Sequence, residues 1–298
     1  KDTRQLALVL VFLPYFFSML ITNEVALITF VPLAVIVLRL SGQEKLLVPL
    51  VVMQTLAANL GSMLTPMGNP QNLYLYAKSG ISLPAFLQLM LPYTMAAGLC
   101  LLAVICIMKN EPLNAADFSP DAPSDVNFTK LGFFSADFLL CLLCVAKVIA
   151  PAAAVVVIVI GLLFTDRALF KEIDYSLLGT FVCFFIFIGN MGRIGQFCAL
   201  LEALLTGHER TVAVLSSQVI SNVPAALLLS GFTDQYQALI VGTNLGGLGT
   251  LIASMASLIS YKQIAREYPD RKGAYFSCFT FANIALLAVL LLISALIS

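Results

Sequence analysis

Apolar runs follow one another along almost the whole chain, and the breaks between them hold Gly, Pro, Ser, Thr and Asn more often than charge. Of the 298 residues 60% are hydrophobic and 11% charged, against about 45–50% and about 25% in soluble domains. A water-soluble globule of this length cannot hide so much apolar surface. With about 20 residues needed per helical crossing, the expected fold class is an all-α polytopic membrane protein. The 16 basic and 16 acidic side chains cancel, so no polybasic patch argues for nucleic acid or anionic lipid. The first residue is Lys1 rather than Met, as in a processed or truncated chain. Leu6–Ile21 lacks a small-residue cleavage site and runs into a second apolar segment, so it does not read as a signal peptide. The seven cysteines lie nearly all in apolar runs, and Cys141-x-x-Cys144 has no second ligand pair. They read as small hydrophobes.

Several runs are too short to cross alone. Val212–Ile220 and Val223–Phe232 are separated only by Ser221-Asn222. Ten helical residues cover about 15 Å of a hydrocarbon core about 30 Å thick. Two half-length helices around a small polar tip predict a re-entrant hairpin. Leu6–Ile21 and Val25–Leu40 repeat the design around Thr22-Asn23-Glu24, with arms long enough that two short spans remain an alternative. Non-helical backbone at membrane depth needs protein or a water-filled cavity to satisfy it, so a polar tip there points to a site.

Two longer runs are interrupted. Leu46–Ala77 breaks at Thr65-Pro66-Met67-Gly68-Asn69-Pro70-Gln71-Asn72, where two prolines remove amide donors and Gly68 permits unusual dihedrals. Ala238–Tyr261 breaks through Gly242, Gly246, Gly247 and Gly249 followed by Thr250. The expected organisation is a first repeat over 1–108 (hairpin 6–40, broken helix 46–77, span 84–108) and a linker over 109–132. A second repeat follows over 133–298 (spans 134–194, hairpin 212–232, broken helix 238–261, span 274–297). Counting charges by side places twelve basic residues on one face, among them Arg4, Arg39, Lys45, Lys109 and Arg271. Four (Lys78, Lys147, Arg193 and Arg210) fall at the other. The first face is therefore expected in the cytoplasm, with the amino end inside and the carboxyl end outside an inner or plasma membrane.

The two halves match where they are most polar. Ser18-x-x-x-Thr22-Asn23 aligns with Ser217-x-x-x-Ser221-Asn222 at an offset of 199 residues. Asn59-Leu60-Gly61 with Thr65 aligns with Asn244-Leu245-Gly246 and Thr250 at an offset of 185. Because the hairpins enter from opposite faces, the repeats are inverted, the pattern of a secondary transporter with its site at the midplane. Ser18 and Thr22, like Ser217 and Ser221, are four apart and expected on one helix face. Hydroxyl and carbonyl oxygens are hard ligands suited to Na⁺, and half-helix N-termini are suited to an anion.

The runs Thr22-Asn23-Glu24-Val25-Ala26-Leu27, Asn59-Leu60-Gly61, Thr65–Asn72 and Ser221-Asn222-Val223-Pro224 resemble the ion transporter superfamily. That group includes arsenite permeases, citrate carriers, divalent-anion:sodium symporters and a class of sodium/proton antiporters. The pattern is nearest the arsenite- or anion-permease branch, over essentially the whole chain. By that resemblance Ser18, Thr22, Asn23 and carbonyls near Gly68 form one Na⁺ site. Ser217, Ser221 and Asn222, with carbonyls from Thr250 to Ala253, form a second. Asn23, Glu24, Asn69, Asn222 and Thr250 face the transported anion. Na⁺ is the one cofactor-like ion expected. The expected partners are a small anion, the lipid bilayer and a second copy of the chain.

Two departures bear on this. Glu24 and Val223 stand where sodium-coupled dicarboxylate carriers resemble Ser-Asn-Thr at the tips, which weakens a dicarboxylate assignment. Three spans precede the second hairpin and none the first, so about three scaffold or dimerisation helices are expected to be missing at the amino end. Glu24 beside a tip is a functional candidate, and as an exchange carboxylate it would suit a sodium/proton antiporter of the same fold. The one histidine, His208, sits in a polar turn, and no H-E-x-x-H, G-x-S-x-G or G-x-G-D occurs. An intramembrane enzyme is accordingly disfavoured. A non-catalytic assembly subunit leaves the twin polar tips unexplained.

Overall fold

The computed structural model describes residues 2–113, 128–171, 173 and 175–297 of the chain. In chain order its helices are α1 (Thr3–Phe17), α2 (Asn23–Leu40), α3 (Leu47–Ser62), α4 (Pro70–Ser79), α5 (Leu83–Ile107), α6 (Phe128–Val145) and α7 (Pro151–Thr165). They continue as α8 (Tyr175–Met191), α9 (Gly195–Leu205), α10 (Glu209–Ile220), α11 (Asn222–Leu229), α12 (Tyr236–Leu245), α13 (Met255–Glu267) and α14 (Lys272–Ile297). Among the described residues the β content is one isolated bridge, Asp2 to Pro112. Five segments among the described residues are long and apolar enough to cross a bilayer, and up to six if α8 and α9, bent by 101°, make one span. The protein is an all-α, multi-pass membrane protein. Most of the linker expected over 109–132 lies outside the described residues.

The chain divides into two units, Asp117–Cys183 and the remainder. In the smaller, α6 packs on α7. Gly161 makes room for the Phe133 ring, whose Cζ would stand 2.5 Å from a Cβ there, and Lys130 pairs with Asp166 at 2.8 Å. Neither helix buries more than Ala154. Their apolar side chains face outward, as lipid requires.

The larger unit is organised on two central helices. All of α3 except Val48 and Pro49 is buried, and α1, α2, α5, α13 and α14 pack against it. α12 is buried from Leu239 to Leu245 and is packed by α10, α11, α14, α4 and α5. These contacts form two matching series, in which α1–α5 and α10–α14 exchange roles in order. α2 lies on α13 as α11 lies on α4, and α3 on α14 as α12 on α5.

Close approach depends on small residues. A Cβ on Gly61 would overlap the Tyr15 carbonyl oxygen, and one on Gly242 would stand 2.6 Å from the Arg210 carbonyl oxygen. α1 therefore meets α3, and α10 meets α12, backbone against backbone. Pro14 inside α1 has no N–H to give the Leu10 carbonyl, and the buried Gln54 of α3 replaces it, donating from Nε2 at 2.8 Å. The same Nε2 lies 3.3 Å from the Phe30 carbonyl of α2, so one amide ties both arms of the first helix pair to α3.

Hydrogen bonds gather the helix ends into two sets. Thr3 N–H donates to the Glu111 carbonyl at 3.0 Å, Arg39 Nη2 to the Tyr268 hydroxyl at 2.8 Å, and Arg271 Nη1 to the Glu44 carbonyl at 2.6 Å. The start of α1 and the ends of α2, α5 and α13 thus share one end. At the far end of α14, Arg210 Nη1 donates to Ser294 Oγ at 2.6 Å, and Lys78 Nζ ties the end of α4 to the Ser230 carbonyl after α11 at 2.6 Å.

Candidate functional site

Both interrupted helices part where the sequence predicts, between Ser62 and Pro70 and between Leu245 and Met255. The first gap is held by its own residues. Thr65 Oγ1 donates to the Met19 carbonyl at 2.5 Å, and Asn72 Nδ2 points back at the Ser62, Met63 and Thr65 carbonyls over 3.3–3.5 Å. Gly68 is obligatory, because a Cβ would overlap the Ser62 carbonyl oxygen. The second gap is held from outside. Gln218 on α10 donates to the Gly246 and Leu248 carbonyls, each at 2.9 Å, and its Oε1 accepts the Thr250 N–H at 2.9 Å. Thr250 Oγ1 donates to the Gln218 carbonyl at 3.1 Å. Thr250, expected to face the anion, is exposed and pins the gap to α10.

The two tips reach these gaps in the same way. Asn23 N–H donates to the Gly68 carbonyl at 3.0 Å, and Asn222 N–H to the Ala253 carbonyl at 2.9 Å. Asn23 and Asn222 are 4% and 5% exposed. The tips differ in build. α1 stops at Phe17, and Ser18 to Thr22 form an open turn before α2. α10 runs to Ile220 and only Ser221 separates it from α11, at φ 71 and ψ 154. That combination is nearly confined to glycine and costs on the order of 1–3 kcal/mol.

The expectation that Ser18 and Thr22 share a helix face is corrected by this. Ser18 ends α1 and donates to the Tyr15 carbonyl at 3.0 Å, whereas Thr22 is the N-cap of α2 and accepts the Val25 N–H at 3.3 Å. Ser217 stays in α10, donates to the Ala213 carbonyl at 2.7 Å and packs on Gly246. Ser221 Oγ donates to the Ala253 carbonyl at 3.3 Å. Glu24 is half-buried in the first turn of α2, where its carboxylate suits the positive helix end, and its N–H donates to Asn23 Oδ1 at 3.0 Å.

Two asparagines that composition did not single out as site residues join the gaps. Asn59 Oδ1, on α3, accepts from Asn23 Nδ2 at 2.9 Å and from Ser254 Oγ at 3.2 Å, and Asn59 Nδ2 donates to Ser257 Oγ at 3.1 Å. Asn244 Oδ1, on α12, accepts from Asn69 Nδ2 at 3.4 Å, and Asn244 Nδ2 donates to Asn72 Oδ1 at 2.5 Å and to the Ile240 carbonyl at 2.7 Å. Each central helix therefore holds the first turn of the other interrupted helix. Asn69 and Ser254 are the N-caps of α4 and α13, and neither side chain caps its own helix. Pro70, the first residue of α4, has no N–H to cap, and both helix starts are left to the junction rather than to their own N-cap side chains. Asn69 Oδ1 and Gln71 Nε2 are buried there without a hydrogen bond.

The signal for these straps was present in the repeat. Ser254 and Ser257 stand at the same offset of 185 from Asn69 and Asn72 as Asn244 does from Asn59. Asn23, Gly68 and Asn69 thus meet at one gap and Asn222 and Ser254 at the other, with Asn59 bonded to both Asn23 and Ser254. The strap residues are neutral amides and hydroxyls: oxygens fit to ligate a cation, and N–H groups fit to hold an anion.

A multi-pass helical protein with two interrupted helices and a buried, uncharged junction between them belongs to the class of membrane transporters. The chain belongs to the citrate transporter family, whose model it matches over residues 1–238. It is 34% identical to an uncharacterized transporter of Methanocaldococcus jannaschii, over 88% of this chain and 72% of that protein. It is 30% identical to the inner membrane protein YbiR of Escherichia coli, over 87% of this chain and 69% of that one. Over 106 residues, 35% of this chain and 21% of the relative, it is 36% identical to a silicon efflux transporter of Oryza sativa.

Proposed function

We propose that the chain is a secondary active transporter that moves a small anion by alternating access, driven by a Na⁺ or H⁺ gradient. The observation that carries this is the junction itself: each tip bonded to a gap, and each gap strapped to the opposite central helix. Equal bonds at equal offsets, together with the two series of helix contacts, support an inverted repeat of 1–108 and 133–298 with re-entrant pairs α1–α2 and α10–α11. The gathering of Arg4, Arg39, Lys45, Lys109 and Arg271 at one end supports a cytoplasmic amino end. Asn23, Glu24, Asn69, Asn222 and Thr250 then border the anion. Ser18, Thr22, Asn23 and Gly68, and Ser217, Ser221 and Asn222, border two Na⁺ positions.

A junction without Lys or Arg can offset an anion's charge only with helix N-termini and a bound cation. That favours coupling to a cation, and it favours a weakly ionised oxyacid over a triply charged solute. The family name and the silicon-efflux relative set the range of solutes to try. In proteoliposomes, uptake of citrate, arsenite and silicic acid is measured with imposed Na⁺ or H⁺ gradients. At least one should accumulate only with a gradient, and Asn23→Ala and Asn222→Ala should each abolish uptake in protein that still folds. Normal transport by both variants sinks the site assignment. Na⁺-driven alkalinisation with no anion present would replace symport with sodium/proton exchange at Glu24.

A further inference from the structure

At the end that gathers the amino terminus, a cavity of about 370 Å³ opens between the start of α3 and the end of α5. Its walls are apolar: Pro49 and Met53 lie one turn apart on α3, Val104 lies on the last turn of α5, and Met108 caps its end. Its mouth is charged. Lys45 and Lys109 both pair with Glu111, the latter at 3.1 Å. The two ammoniums hold the Glu111 carboxyl below its ordinary range, Lys45 contributing most. They converge on one anion position, and two lysines against one carboxylate leave a net single positive charge.

The mouth and the walls lie at different depths. α5 is long and apolar enough to cross a bilayer and ends at Ile107, so a crossing along it sets Met108 to Glu111 at the membrane–water boundary. Pro49, Met53 and Val104 lie below them. A free phosphate has no use for such walls, and a neutral lipid has none for the lysines.

We propose that this cavity seats one anionic glycerophospholipid, its phosphate between Lys45 and Lys109 and the start of an acyl chain along Met53 and Val104. Glu111 occupies the anion position in the absence of lipid and competes for it. The Glu111 backbone also holds the start of α1, its N–H donating to Thr3 Oγ1 at 3.0 Å and its carbonyl accepting the Thr3 N–H at 3.0 Å. Lipid at this site therefore bears on how α1 is anchored.

Native mass spectrometry of the full chain in detergent, with dioleoylphosphatidylglycerol or dioleoylphosphatidylcholine added, tests this. The anionic lipid should be retained as a single adduct about fivefold better, the worth of one basic group near an anionic headgroup. It should also raise the unfolding temperature, which inorganic phosphate should not. Lys45→Gln with Lys109→Gln should erase the preference, Glu111→Gln should strengthen it, and Lys262→Gln, at an exposed site on α13, should leave it unchanged. Val104→Trp, which fills the groove and touches no charge, should lower retention without changing the unfolding temperature, and it decides the matter if the double variant does not fold. Equal retention of the two lipids, a preference that survives the double variant, undiminished retention in Val104→Trp, or stabilisation by phosphate alone overturns the proposal.

Discussion

Replacing Asn59 by Ala removes three hydrogen bonds in one step: from Asn23 Nδ2 at 2.9 Å, from Ser254 Oγ at 3.2 Å, and to Ser257 Oγ at 3.1 Å. Side-chain hydrogen bonds within membrane proteins average roughly 0.6 kcal/mol, and buried ones elsewhere about 1 kcal/mol. The bonds themselves therefore account for about 2–3 kcal/mol. The serine hydroxyls can turn to other acceptors, but Asn23 Nδ2 is buried, and stranding it adds about 1 kcal/mol. Asn59→Ala should thus cost about 3–4 kcal/mol, a fall of several degrees in the unfolding temperature in detergent. Asn244→Ala should cost a similar amount. Asn59 bonds to Asn23, Ser254 and Ser257, and Asn244 to Asn69, Asn72 and Ile240, so the two sets are disjoint. The double variant should then be additive to within about 0.5 kcal/mol. A cost below about 0.5 kcal/mol for Asn59→Ala, less than one ordinary bond, would refute the claim that these amides hold the junction together.

Ser221→Gly should raise the unfolding temperature, because glycine accepts φ 71 and ψ 154 without the strain of about 1–3 kcal/mol. Ser221→Ala should not, nor should Thr22→Gly, where φ is −69; gain of stability by all three would point away from backbone strain. Gln54→Leu should cost about 1–3 kcal/mol by orphaning the Leu10 carbonyl, and adding Pro14→Ala should restore much of it by returning an N–H to that oxygen. Failure of the second change to rescue the first in a double-mutant cycle would mean that Gln54 acts through some other contact. The Glu111 clip is pH-dependent with a definite sign. Its folded pKa is lowered by Lys45 and then Lys109, so its stabilising effect is complete above the unfolded value of 4.5 and fades as pH falls through the folded one. The difference in unfolding temperature between the wild type and Glu111→Gln should shrink below that pH and shrink in high salt, and a pH-independent difference would argue against the ion pairs.

The parts of the fold that composition could reach were those written in backbone chemistry. Two prolines and Gly68 mark the first gap, clustered glycines mark the second, and both helices part there. Asn23 and Asn222 were legible as tips because nothing but small polar residues separates the apolar arms, and each does bond to a gap. The shared face of Ser18 and Thr22 failed for a tertiary reason. No glycine or proline stands between Phe17 and Thr22 to end a helix, yet the Met19 carbonyl is drawn to the Thr65 hydroxyl, and the chain unwinds at Ser18, five residues before Asn23. α10 has no such pull and runs to Ile220, leaving Ser221 to make the whole reversal.

The straps, whose only trace in the sequence is the shared offset of 185, were missed for a different reason. The aligned pair Asn59 and Asn244 is identical in both halves, but their partners are amides in one half and hydroxyls in the other. Residue identity hides the equivalence of Asn69 with Ser254 and of Asn72 with Ser257, which geometry restores. The consequence concerns motion. α3 holds the first turn of α13, and α12 the first turn of α4, so the polar centre is shared between halves rather than divided by a seam. Rocking one half against the other would break these buried bonds at every cycle and strand amides away from water, at about 1 kcal/mol or more for each. A motion that carries both gaps and both central helices together leaves the bonds intact. For the alternating access proposed above, the cheapest motion is therefore one in which the strapped junction moves as one body.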